Sequence, residues 1–209
     1  MTLDRDWIVQ RISNTDTFSE RPAVRGDHDL NPDLRPELRS GPPLRRAAVL
    51  VGLVERTEGL TILLTRRTDH LEHHPGQISF PGGHVEAADA DAVATALRET
   101  EEEIGLAPAH IEVLGRLDTY ITRTGFEITP VVALIKPPFE LVPDTHEVAE
   151  VFEVPMPFLM NPSNHLRHLR EFEGAPRYFY AMPYEDYYIW GATAGMIMDL
   201  YQTLTDSPQ

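Results

Sequence analysis

FPGGHVEAADADAVATALRETEEEIGL, residues 80–106, decides how this chain is read. Its second half predicts a helix from Asp91 to Gly105, where a glycine just past the last turn stops it. At 100° per residue, Val93, Leu97, Thr100 and Ile104 fall on one stripe and are the expected core face. Glu99 and Glu103 fall together on another flank, with Glu102 beside them. Carboxylates at this spacing repel by ~0.2–0.5 kcal/mol per pair. They also crowd the negative end of the helix dipole. Two readings stay open from the residues alone. One is a solvated acidic face partly compensated by Arg98. The other is a site for a hard divalent cation, Mg²⁺ or Mn²⁺, because oxygen donors without cysteine or paired histidine do not suit Zn²⁺.

The residues in front of the helix add a constraint. Phe80-Pro81 closes a strand-like run, and Gly82-Gly83 permits close backbone approach. A glycine turn, a helix opening and then Arg98-Glu99-Thr100-Glu101-Glu102-Glu103-Ile104-Gly105-Leu106 resembles the Nudix box. The charged positions and the glycine match, and Thr100 replaces an apolar residue. Asp89 stands where the first glutamate is usual, and the box is one residue longer than the general pattern. The resemblance implies an α/β (α+β) Nudix fold, a mixed sheet sandwiched between helices. It implies a metal-dependent diphosphate hydrolase with Glu99, Glu103 and Glu102 on Mg²⁺ or Mn²⁺. Glu99, Glu102 and Arg98 would be catalytic, with Arg98 fixing a neighbouring carboxylate.

Upstream, Leu63-Leu64-Thr65-Arg66-Arg67-Thr68, Gly76 and Phe80-Pro81-Gly82-Gly83 are similar to the signature of the coenzyme A pyrophosphatase branch. Thr68 replaces a small residue there. Glu72 replaces an arginine, a reversal of charge. The closing stretch Tyr188-Ile189-Trp190-Gly191-Ala192-Thr193-Ala194 is also similar to that branch. The resemblance spans about residues 45–205. It implies hydrolysis of CoA or its derivatives to phosphopantetheine and adenosine 3′,5′-bisphosphate, with Arg67, His74, Gly82 and Gly83 binding substrate. Arg66, His70 and His73 are nearby cations or donors that would offset Glu72, or plain surface residues. The general base is a box glutamate, Glu147 or Glu150. Trp190 reads as core rather than as an adenine platform. Glu72 favours a competing reading, a Nudix hydrolase of ADP-ribose, an NDP-sugar or a dinucleotide. A non-catalytic nucleotide sensor is opposed by the complete set of box carboxylates, and a thioesterase by the lack of a G-x-S-x-G motif.

Composition agrees. The chain has 209 residues, 42% hydrophobic, no cysteine and a net charge of −15. Disulfides, thiolate catalysis and Cys-based metal sites are excluded. Residues 1–46 balance eight arginines against eight acids, so residues 47–209 carry the whole excess. That disfavours nucleic acid as a partner, since phosphate tracking needs clustered Lys/Arg. An anionic substrate then needs a local cation. The longest apolar run, Ala47 to Val54, is too short to span a bilayer, and the N-terminus does not read as a signal peptide. A cytoplasmic protein acting on a small nucleoside diphosphate is expected.

Residues 1–45 read as a short helix, with Trp7, Ile8 and Ile12 on one side, followed by a proline-rich extended arm. That arm is a candidate contact for a homodimer. Residues 46–209 read as the Nudix domain. Strands are expected over 47–55 and 60–67, joined as a hairpin, then a short one at Gln77–Phe80. Two more are expected over 111–123 and 126–136, and a hairpin from 169–173 and 178–182. Strand passes into a short helix over 151–160, and a last helix runs over about 190–204.

Overall fold

A computed structural model describes residues 5–13, 24–34, 43–71, 74–172 and 174–205. The run AAVLVGLV forms the middle of β2 (Arg45–Arg56). It is apolar at successive positions because both faces of this strand are covered. Ala48, Leu50 and Val54 face one core, and Val49, Val51 and Leu53 face the other. A two-residue turn leads to antiparallel β3 (Gly59–Arg67), with Arg56 opposite Gly59.

The remaining strands assemble around this pair. In chain order they are β1 (Val24–Gly26), β4 (Ile78–Ser79), β5 (Gly82–His84), β6 (Ile111–Arg116), β7 (Thr119–Ile121), β8 (Phe126–Ile135) and β9 (Val148–Pro155). The mixed sheet runs β1-β7-β8-β2-β3-β4, with β5 on β2, β6 on β8 and β9 on β3. β2 and β8 are parallel over ten residue pairs. A second sheet holds β10 (Leu166–Phe172), β11 (Ala175–Tyr184) and β12 (Tyr187–Trp190). The helices are α1 (Arg5–Ser13), α2 (Ala92–Ile104), α3 (Met156–Leu159) and α4 (Ala192–Thr205). α2 covers one face of the large sheet. α1, α3, α4 and the small sheet cover the other. The expected mixed sheet between helices is therefore the observed one.

Several local expectations change. The stretch 111–123 divides into β6 and β7, because the gap lies opposite Pro130 of β8, which has no N–H for the ladder. Gly82-Gly83 does not simply end a strand but forms β5 on Ala48 and Val49. β12 was not expected as a strand. It continues the predicted hairpin, and α4 begins only at Ala192. In the arm, Ile8 and Ile12 are fully buried, β1 joins the large sheet through β7, and the Asn31 side chain bonds the backbone of Tyr178. The described parts of residues 1–45 thus pack on their own chain.

Candidate active site

α2 opens on Asp91, whose carboxylate accepts from the Ala94 N–H, and closes on Gly105 in the left-handed conformation. Its buried face is not centred on the Val93-Leu97 stripe. Ala92, Thr95, Ala96, Thr100, Glu103 and Ile104 are buried, while Val93 and Leu97 are half-buried at the flank. The helix is rotated by about 60° toward its carboxylates. Ala92 and Ala96 are small enough to let it lie close on β2 and β5. Thr100 is tolerated inside because its hydroxyl donates to the Ala96 carbonyl at 2.6 Å.

This rotation presses Glu99 and Glu103 against the double glycine. The Gly82 N–H donates to Glu103 Oε2 at 3.1 Å. Gly82 has φ +150°, and a Cβ there would lie 2.3 Å from the Ala48 carbonyl oxygen. At Gly83 a Cβ would lie 2.5 Å from the Glu99 carboxyl carbon. Both glycines are therefore needed, Gly82 for the backbone and Gly83 for the carboxylate.

Glu103 is only 8% exposed. Burial pushes its carboxyl up to about 7, the Gly82 N–H and the Arg67 guanidinium pull it back, and Glu147 and Glu99 push it further. Burial also raises Glu99, against its bond from Arg98, with Glu102 and Glu147 adding repulsion. Arg98 is the tie. It donates to Glu99 Oε1 (2.9 Å), Glu102 Oε2 (3.0 Å) and the His84 carbonyl (3.0 Å). It also grips both oxygens of Asp89. Asp89 accepts further bonds from Thr95 Oγ1 and the Glu86 N–H. Arg98 above all, then the Glu86 N–H, hold Asp89 well below the usual carboxylate range.

The strand register sorts the arginines of β3. Arg67 lies on the α2 side, where it influences Glu103, and its Nε is buried without a hydrogen-bond partner among the described residues. Arg66 points to the opposite face and pairs with Glu150 at 3.1 Å. Glu150 also accepts from the Tyr187 hydroxyl at 2.7 Å, so it is turned away from the carboxylates of α2. Glu147 is exposed and faces them. It is held by Thr68, whose N–H and hydroxyl donate to the carbonyls of Glu147 and His146. His74 is exposed, with φ +57°, in the turn between β3 and β4. His70 is exposed as well, and Glu72 and His73 lie outside the described residues. Trp190 is half-buried, edge-on to Phe179 on the outer face of the small sheet.

Among the described residues, no three acidic or histidine side chains are gathered closely enough to hold a metal ion by themselves. Glu99 and Glu102 are instead both engaged by Arg98 Nη1. The donor set still fits Mg²⁺ or Mn²⁺. Such ions take one or two carboxylates and complete their shell with water and substrate phosphate. Glu103, a buried carboxylate of raised pKa, and Glu99 beside it could supply that pair. Asp89 is the contributor that the spacing alone left unassigned, because its shifted position hid its role. Of the two later acids expected as candidate bases, Glu147 is the one that faces the cluster.

No helix among the described residues is long and apolar enough to cross a membrane. The model of the NUDIX domain matches residues 43–176. A protein of Enterobacter sp. (strain 638), named uncharacterized Nudix hydrolase NudL, is 39% identical over 83% of this chain and 94% of its own. Its namesake from Escherichia coli (strain K12) is 40% identical over 80% of this chain and 87% of its own. Among solved structures, a Nudix hydrolase from M. smegmatis, RenU, aligns at TM-score 0.47 and 23% identity, covering 55% of this chain and 73% of that one. With the domain match spanning the glycine strand, the carboxylate helix and the strands that hold them, this chain belongs to the Nudix hydrolases, enzymes that cleave phosphoric anhydrides and generally use divalent metal ions.

Proposed function

We propose that this chain hydrolyses the diphosphate of coenzyme A or a CoA derivative, giving phosphopantetheine and adenosine 3′,5′-bisphosphate. The observation that carries the reading is Arg67. It sits at the first arginine position of the CoA-branch signature, on the α2 face of β3, with a buried Nε–H that has no acceptor among the described residues. A phosphate oxygen is the chemistry such a donor fits. Gly82 and Gly83 let the diphosphate approach the backbone, and His74, exposed in the β3–β4 turn, is a further candidate contact to substrate.

Glu99 and Glu103 would hold Mg²⁺ or Mn²⁺, with Glu102 assisting. Such a cation, when bound, would supply charge neutralisation on the diphosphate oxygens and a more acidic water. Arg98 is a positioning residue that sets the rotamers of Glu99 and Glu102. Water oxygen bonds to one phosphorus as the bridging P–O bond breaks, and the departing phosphate takes the proton. Glu147, facing the cluster, is the acid placed to receive the proton of water first. The cysteine-free composition is consistent with a cytoplasmic enzyme.

A second reading rests on Glu72, which reverses the charge of a signature arginine. In that reading the substrate is another nucleoside diphosphate derivative, such as ADP-ribose. The test is incubation with CoA, ADP-ribose and NADH, each with Mg²⁺ or Mn²⁺, and mass spectrometry of the products beside a Glu103→Gln control. Phosphopantetheine from CoA, lost in the control, upholds the first reading. Cleavage of ADP-ribose or NADH with CoA untouched replaces it with the second.

A further inference from the structure

The small sheet has an outer edge. β10 pairs with β11 on one side, and among the described residues no strand pairs with its other side. Its side chains are largely exposed, with Leu169 at 55%, Phe172 at 41% and Leu166 at 38%. A free, unbroken seven-residue edge without proline is a template for another strand.

The hydrogen-bond parity of this edge is readable. Tyr178, opposite Leu169, spends both its N–H and its C=O on the Asn31 side chain, at 2.9 Å each. The carbonyl of Tyr180, opposite Arg167, accepts from the Gly191 N–H. These bonds lie on the side of β11 away from β10. The two cross-strand pairs are therefore the non-hydrogen-bonded kind, in which backbone groups point apart. On β10, then, the N–H and C=O of Arg167, Leu169 and Glu171 point to the open edge.

The sequence of β10, LRHLREF, complements itself about Leu169. In an antiparallel pairing of two copies with a two-fold axis at Leu169, Arg167 lies opposite Glu171 of the second copy, and Glu171 opposite its Arg167. Leu166 meets Phe172 in the same way, and His168 meets Arg170. This register sets the three residues with outward backbone groups against their counterparts. It satisfies all six outward groups of each strand and forms two cross-strand ion pairs. A slip by one residue loses both. We propose that the protein forms an isologous homodimer through β10, joining the two three-stranded sheets into one of six strands.

The test is sedimentation velocity of the full chain over a range of loading concentrations. Wild type is expected at twice 23.6 kDa. Leu169→Pro removes an outward N–H and no bond among the described residues, which an edge strand tolerates, and is expected at the monomer mass. Arg167→Glu sets glutamate against Glu171 and is also expected to be monomeric. Arg167→Glu with Glu171→Arg restores the complement and is expected to recover the dimer, with circular dichroism checking the fold of each variant. A wild type that stays monomeric at every concentration overturns the proposal. So does a dimer that survives both single substitutions, or a double variant that folds and stays monomeric.

Discussion

Arg98 and Asp89 are joined by two parallel hydrogen bonds, Nε to Oδ1 at 3.0 Å and Nη2 to Oδ2 at 2.9 Å. The fork leaves Nη1 for Glu99 and Glu102. The loop before α2 thereby fixes where the carboxylates of α2 stand. Asp89→Asn keeps an oxygen but replaces the other acceptor with a donor, so the bidentate grip is lost. The metal concentration for half-maximal activity is expected to rise by ~10–100-fold, the range for partners that orient metal ligands. Arg98→Lys should do the same, since an ammonium cannot reproduce the fork. Metal-titrated kinetics check both, and unchanged metal dependence in both would refute the tie.

Much of this was legible in the residues. The glycine turn and the Arg98-to-Gly105 run were enough for the family, and Asp91 and Gly105 marked the helix ends. The facing of α2 was not legible, because counting apolar residues weights Val93 and Leu97. The fit of the helix to the sheet depends instead on the small Ala92 and Ala96 and on the missing side chains at Gly82 and Gly83. Asp89 looked displaced by the longer loop, yet a planar guanidinium reaches it. Arg67 is expected at the substrate and Arg66 as a nearby cation or a surface residue. The two-residue period of β3 sends them to opposite faces.

Gly82 and Gly83 should fail differently. Gly82→Ala forces a Cβ to 2.3 Å from a backbone oxygen at φ +150°, where neither side yields, so it should lower Tm by several degrees. At Gly83→Ala the nearest atoms are those at the end of the Glu99 side chain. It should spare Tm and cost activity by displacing that carboxylate. Thermal unfolding beside kcat/KM separates them, and equal effects on both quantities would contradict the assignment.

Glu147 and Glu150 were equal candidates for the base. Glu147 raises the carboxyls of Glu103 and Glu99, whereas Glu150 is held by Arg66 and Tyr187 on the other face. Glu147→Gln should lower kcat by ~10²-fold or more, as loss of a positioned proton acceptor does. Glu150→Gln should leave kcat within about twofold of wild type. The reverse order would place the base on β9 and remove Glu147 from the mechanism.

Asp199 predicts a pH dependence of stability away from the active site. It lies in α4 at 5% exposure, its Oδ2 has no hydrogen-bond partner among the described residues, and Arg25 Nε is 3.4 Å from Oδ1. Burial, with Asp118 adding repulsion, pushes its carboxyl up to about 7, against the pull of Arg25. Its ordinary value is 3.8, so the folded chain holds this proton where the unfolded chain has released it. The contribution is full below about pH 4 and is lost as pH rises through about 7, at up to about 1.4 kcal/mol per pH unit. Asp199→Asn cannot ionise and should flatten that slope. Urea unfolding from about pH 5 to pH 8 should show wild type losing more stability than the variant. Glu103 titrates with the same sign in both proteins and cancels from the difference. Parallel profiles would mean that Asp199 stays ionised throughout, with Arg25 as its full counter-charge.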